Sequence, residues 1–114
     1  MEKEILKELP ACPVETTLTL ISDKWKVLIL RDLMLGTKRF GELKKSIGHV
    51  TQKVLTAQLR QMEESGLLTR KVYAEVPPRV EYTLTELGYS LKPILDAMWA
   101  WGEGYKSRLE EKAE

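Results

Sequence analysis

Four residues at helical spacing carry the chemistry this sequence offers: Gln52, Lys53, Thr56 and Arg60. Gln and Arg side chains present paired polar atoms that match the major-groove edges of adenine and guanine. Thr and Lys add a short hydroxyl and a reaching cation, for base edges or nearby phosphates. These four share the outer face of a helix expected over 51–65, with Ala57 keeping that face low. Leu55, Leu59 and Met62 recur at i, i+4 and i+7 and form the opposite, inward face. Thr51 caps the helix without the reciprocal acid of a capping box, and Gly66 ends it. The acids Glu63 and Glu64 come only in its last turn. Such a helix suits reading of double-stranded DNA.

A second reactive group is Cys12, which precedes Pro13. Proline favours the first position of a helix, so Cys12 is the expected N-cap. A thiol there meets the positive end of the helix dipole, which favours the thiolate. Lys24 and Lys26 follow within a short stretch of sequence. Cys12 is therefore a candidate sensor thiol for a small electrophile or oxidant. The alternative is a small residue that only packs. His49 is the one histidine and has no acidic or cysteine partner in sequence, so no metal site is expected. No Ser/His/Asp, paired-carboxylate or phosphate-loop pattern is present, so neither an enzyme nor a cofactor is expected.

Several elements must position the reading helix. A first helix, 40–47, turns its Phe40, Leu43 and Ile47 inward and Lys44 and Lys45 outward. Gly48-His49-Val50 joins it to the second, giving a helix-turn-helix at about 40–65. A two-stranded hairpin follows at about 67–84, with strands at 67–75 and 79–84 and a Val76-Pro77-Pro78 tip. Val80, Tyr82 and Leu84 share one face of its second strand; Leu68, Val72 and Ala74 share a face of the first, interrupted by Arg70. Arg70, Lys71 and Arg79 put cations on the hairpin, and beside a reading helix such a basic hairpin is a wing, expected to grip phosphate or enter the minor groove. Lys38, Arg39, Lys71 and Arg79 are the expected contacts to the DNA backbone, the first two from near the start of the first helix.

Upstream, Ile5, Leu6 and Leu9 could form an amphipathic turn or two before Pro10. Val14, Leu18 and Ile21 stripe a helix over 13–21. Ser22 or Asp23 then caps the central core helix, 24–35, whose outer edge would carry Lys26, Arg31 and Asp32, with Gly36 as its left-handed stop. Downstream, Thr85 caps a long helix at about 85–108. Its Leu87, Leu91, Ile94, Met98, Trp101 and Tyr105 repeat at heptad spacing. Leu95 and Trp99 widen that seam beyond what one small domain needs, which predicts a homodimer interface helped by the N-terminal segment. Packing back on Trp25 and Leu28 is the competing use of the same face. Pro93 should kink the helix, Gly102 and Gly104 should weaken its end, and the charged tail should fray.

A length of 114 residues predicts a single domain, 1–114, mainly α (α+β). The fraction of apolar residues, 43%, and of charged ones, 31%, are those of a folded chain, and no run approaches a membrane span of roughly 20 apolar residues. The Met-Glu-Lys-Glu start lacks a secretory signal pattern and one cysteine suits a reducing compartment, so a cytoplasmic location is expected. Net charge is only +1, yet residues 37–79 hold nine basic side chains against four acids, while the remainder holds nine against thirteen. A local basic footprint of this kind suits phosphate binding.

The strings Cys12-Pro-Val-Glu15, Asp23-Lys-Trp-Lys26, Arg39-Phe-Gly-Glu-Leu43, Leu55-Thr-Ala-Gln-Leu59, Glu64-Ser-Gly-Leu67 and Pro77-Pro-Arg-Val-Glu-Tyr-Thr-Leu-Thr-Glu-Leu-Gly88 resemble the HxlR-type family of bacterial and archaeal winged-helix regulators. The likeness spans roughly residues 12–102, and 77–88 is its most distinctive run. It implies a winged helix-turn-helix transcription factor that is a homodimer built from its terminal helices. Paired recognition helices would enter successive major grooves of a pseudo-palindromic operator. Some members of that family sense quinones, aldehydes or oxidants through a cysteine near the N-terminus, and Cys12 stands at that place. Two further readings of this chain stay open: a winged-helix protein-interaction module, and a regulator with an aromatic ligand held between Trp25, Trp99, Trp101 and the tyrosines.

Overall fold

The structure, a computed structural model, describes residues 2–113. The side chains of Glu2, Lys3 and Ile5 lie outside that description, and so does the Ile5 part of the expected amphipathic turn. Three helices open the chain: α1 (Glu2–Glu8), α2 (Pro13–Ile21) and α3 (Lys24–Leu33). A two-residue strand β1 (Lys38–Arg39) leads into α4 (Phe40–Ile47) and α5 (Gln52–Glu64). The hairpin β2 (Leu68–Tyr73) and β3 (Arg79–Leu84) follows, then α6 (Glu86–Tyr89) and α7 (Lys92–Ala113).

The core is built where three apolar helix faces meet the base of the sheet. Ile29, Leu30 and Leu33 of α3 are wholly buried, as are Leu43 of α4, Leu55 and Met62 of α5, with Leu59, Leu67 and Leu68 nearly so. The Asp23 carboxylate accepts the Lys26 N–H at 2.9 Å and so starts α3. Lys26 and Asp32 are buried, not at an outer edge, and only Arg31 of the expected trio is exposed. The cause is position: Lys26 shares its stripe with Leu30 and Leu33, and α3 is packed on several sides. Asp32 retains one ion pair, to Arg31 at 2.9 Å.

The wing is part of a three-stranded antiparallel sheet ordered β1-β3-β2, rather than a two-stranded hairpin. Lys38 and Arg39 pair with Tyr82 and Glu81 on the edge of β3 that β2 leaves open. β2 also stops at Tyr73, short of the expected Glu75.

The junction between α5 and the sheet is closed by backbone geometry. Gly66 adopts φ +79°, its N–H donates to Glu63 O, and the Leu67 N–H donates to Met62 O at 2.9 Å, a Schellman stop. Thr85 then ties the far end of the wing to this stop: its hydroxyl donates to Gly66 O at 2.6 Å and accepts the Gly88 N–H at 3.2 Å.

The C-terminal segment is two helices, not one kinked helix. α6 ends at Tyr89, Leu91 turns its side chain into the core, and α7 restarts at Lys92. Pro93 explains the break, because its ring clashes with the carbonyl four residues back, at Tyr89, whereas the first turn of a helix accepts it. The charged tail is helical as far as Ala113, and Lys106, Arg108, Leu109, Glu110, Glu111 and Lys112 are all good helix formers. None of α7 is buried. The Cα radius of gyration is 16.5 Å, against about 13 Å for a compact chain of this length, because α7 projects from the rest.

Candidate nucleic-acid interface

The outward face of α5 is assembled as its spacing requires. Thr51 Oγ1 accepts the Val54 N–H at 3.1 Å and fixes the leading end. Gln52, Lys53, Thr56 and Arg60 are exposed and line one shallow depression together with Ala57. Among the described residues, neither Lys53 nor Arg60 takes part in an ion pair. The turn before α5 is anchored by buried Val50, and His49 stays exposed with its ring 5.1 Å from that of Trp25.

The four residues expected on the DNA backbone are not equivalent. Lys38 and Arg39, as strand neighbours, face opposite sides. Arg39 lines a cleft between the start of α4 and the wing tip, and its N–H donates to the Glu42 carboxylate at 2.9 Å. Lys38 is half-buried and lines a separate depression with Asp32, Glu42 and Lys45. Lys71 is exposed, with its ammonium 4.9 Å from the centre of the Tyr73 ring. Arg79 is engaged within the wing: its guanidinium lies 3.4 Å from Glu75, 3.7 Å from Glu81 and 4.0 Å from the Tyr73 ring centre. Its charge is already balanced locally.

Arg70, expected as one of the wing's three cations and as an interruption of its apolar face, has a more specific place than that. The register places it opposite Tyr82. Its Nε lies 3.7 Å from Glu63 of α5, so it links the wing to the reading helix. Burial raises the Tyr82 phenol above its ordinary 10.0, the Arg70 charge pulls it partly back, and Glu63 adds to the rise. Its pairing with Glu63 and Tyr82 is what the sequence left unassigned.

Elsewhere, Cys12 is a free, exposed N-cap of α2 whose side chain makes no capping hydrogen bond. The two lysines that follow it in sequence are engaged with other residues: Lys24 lies over the Trp25 ring at 4.5 Å, and Lys26 is 4.0 Å from Asp23. The aromatic residues expected around one pocket are scattered. Trp25 packs beside His49 and Trp101 stacks on Tyr105, while Trp99 alone of the three tryptophans lines an apolar groove with Val27, Leu28 and Met34 of α3. Among the seam residues, Leu91 is spent on the chain's own core, whereas Leu87, Ile94, Met98, Trp101 and Tyr105 remain exposed. Among the described residues no cluster of three or more metal-ligating side chains occurs. No helix is long and apolar enough to cross a membrane.

Comparison with known proteins agrees with this geometry. The chain is 48% identical over 104 residues to the uncharacterized HTH-type transcriptional regulator YdeP of Bacillus subtilis, covering 91% of this chain and 81% of that one. An uncharacterized HTH-type transcriptional regulator of Methanothermobacter thermautotrophicus is 50% identical over 103 residues, covering 90% and 79%. The solved structure of the redox regulator HypR in its reduced form superposes with a TM-score of 0.81 at 45% identity, covering 88% of this chain and 99% of that one. Residues 20–110 match the description of the HxlR-like helix-turn-helix family, and the chain belongs to that family.

Proposed function

We propose that this chain is a DNA-binding transcriptional regulator that acts as a cytoplasmic homodimer on a pseudo-palindromic operator. The observation that carries the reading is the exposed α5 face: Gln52, Lys53, Thr56 and Arg60 in one depression, with unpaired cations and no acid among the lining residues. These four read base edges or nearby phosphates, while Lys38, Arg39 and Lys71 hold the backbone. Arg79 contributes chiefly by stiffening the wing. The dimer forms through the exposed apolar side chains of α6 and α7, with the face of α2 that carries Val14 and Leu18. Two-fold symmetry then sets half-sites about one helical turn apart. The reading as a regulator and not an enzyme is supported by relatives that are HTH-type transcriptional regulators.

Fluorescence anisotropy tests this directly. A duplex from upstream of the protein's own gene is compared with a scrambled duplex, in reductant at moderate salt. Tighter binding to the native duplex supports a sequence-specific regulator. Weak, equal binding that low salt does not strengthen would favour a protein-interaction module instead.

Cys12 supports a second layer. It is free and exposed, and one structural neighbour is a redox regulator. We take Cys12 as the sensor of an oxidant or small electrophile. Oxidant should change the operator affinity of the wild type and leave Cys12→Ser unaffected. An intact response in Cys12→Ser would move the sensing to the α3–α7 groove and an aromatic ligand there.

A further inference from the structure

Between α5 and the wing lies a small cleft lined by Thr56, Leu59, Arg60, Glu63, Arg70 and Tyr82. It is continuous with the reading face, because Thr56 and Arg60 line both. Two arginines and two hydroxyl-bearing side chains line it together, residue types that can supply donors to a tetrahedral anion. Glu63 is the one acid in the lining. Its carboxylate lies 3.7 Å from Arg70 Nε, beyond good hydrogen-bond length, and the two side chains are 41% and 48% exposed. A pair this open is loosely held and easily exchanged.

We propose that this cleft is a seat for one phosphate of the DNA backbone, in which Arg70 exchanges Glu63 for the phosphate. This rests on the DNA-binding reading above and goes beyond a general cationic wing, because it gives Arg70 one seat shared with α5 and one partner to exchange. Glu63 is an internal stand-in for the phosphate. It keeps Arg70 beside α5 in the free protein. The phosphate prevails because it offers the fork a bidentate partner. Leu59 and the body of Tyr82 wall the seat on the core side, which limits screening of the new ion pair.

The test is operator binding across a salt series for the wild type, Glu63→Gln, Arg70→Met, the double variant and Glu64→Gln, each checked for folding by circular dichroism. Glu63→Gln should tighten binding about two- to fivefold, the scale of an exposed ion pair. Glu64→Gln, which removes an equal charge one residue away but outside the cleft, should do less. Arg70→Met should weaken binding and lower the slope of log affinity against log salt by about 0.9, one phosphate contact. In the Arg70→Met background the Glu63→Gln gain should vanish. A gain that persists there, a gain matched by Glu64→Gln, or an unchanged slope in Arg70→Met would overturn the seat while leaving DNA binding intact. A wild type that binds no duplex at any salt would instead remove the DNA-binding reading and the seat with it.

Discussion

The indole of Trp101 lies parallel to the Tyr105 ring, 5.5 Å away with 8° between planes, on a helix that has no fully buried residue and packs chiefly Leu95 on its own core. A stacked aromatic pair left 72% and 48% exposed is a large apolar surface with no intrachain use. Together with Met98 and Ile94 it forms a patch of the kind that becomes the centre of an interface. Trp101→Glu should therefore cost dimerisation about 2 kcal/mol or more, leaving a folded monomer. Sedimentation velocity at micromolar concentration measures it; an unchanged sedimentation coefficient would count against the α7 interface.

Gly88 brings α6 close against the backbone of Leu67, the residue before β2. A Cβ there would collide with the Leu67 carbonyl oxygen and lie 3.0 Å from Leu84 Cδ2. Because the clash is with backbone, relief requires α6 to shift away from the wing. Gly88→Ala should destabilise the fold by about 1–3 kcal/mol, read as a lower urea midpoint. Gly41 in α4 is the contrast, since a Cβ there meets nothing within 4 Å. Gly41→Ala should raise stability by about 0.5–1 kcal/mol. If both substitutions move the midpoint alike, helix propensity and not packing governs Gly88.

Arg60 belongs to both the reading depression and the phosphate cleft, so its role is decided by how specific its loss is. A bidentate base contact predicts that Arg60→Ala costs about 1–3 kcal/mol on the operator and much less on random duplex. Equal losses on both would reassign it to phosphate and lower the salt slope instead.

These residues also mark what the sequence could and could not disclose. The reading helix was legible because three signals agreed: Leu55, Leu59 and Met62 in period, Thr51 as a cap and Gly66 as a stop, and the structure places α5 within a residue of those limits. β1 was not legible, since two residues carry no alternation and their pairing comes from the open edge of β3, a partner more than forty positions away. Lys26 and Asp32 misled because charge suggests solvent, while α3 is enclosed on more sides than one apolar stripe implies. The break before α7 was half visible: Pro93 announced a disturbance, but not that Leu91 would turn inward and leave the seam. Within the site, the α5 face needed only local periodicity. The Glu63–Arg70–Tyr82 cluster needed the cross-strand register and the angle between helix and wing, neither of which is local.

Tyr82 provides a test of that cluster independent of DNA. Its phenol titrates above the ordinary 10.0 because burial disfavours the phenolate, and Glu63 adds to this while Arg70 opposes it. For an acid raised in the folded state, the unfolded chain loses its proton first. Stability is then complete below about pH 10 and falls as pH rises through the folded value. Tyr82→Phe removes this proton while keeping the ring in the core, so its stability should decline less between pH 9.5 and 11 than that of the wild type, measured by urea unfolding at about equal salt. Arg70→Met should steepen the wild-type decline, because the one charge that favours the phenolate is gone. Parallel pH profiles for wild type and Tyr82→Phe would mean that the phenol is not held by burial, and that the wing packs on α5 more loosely than the cleft requires.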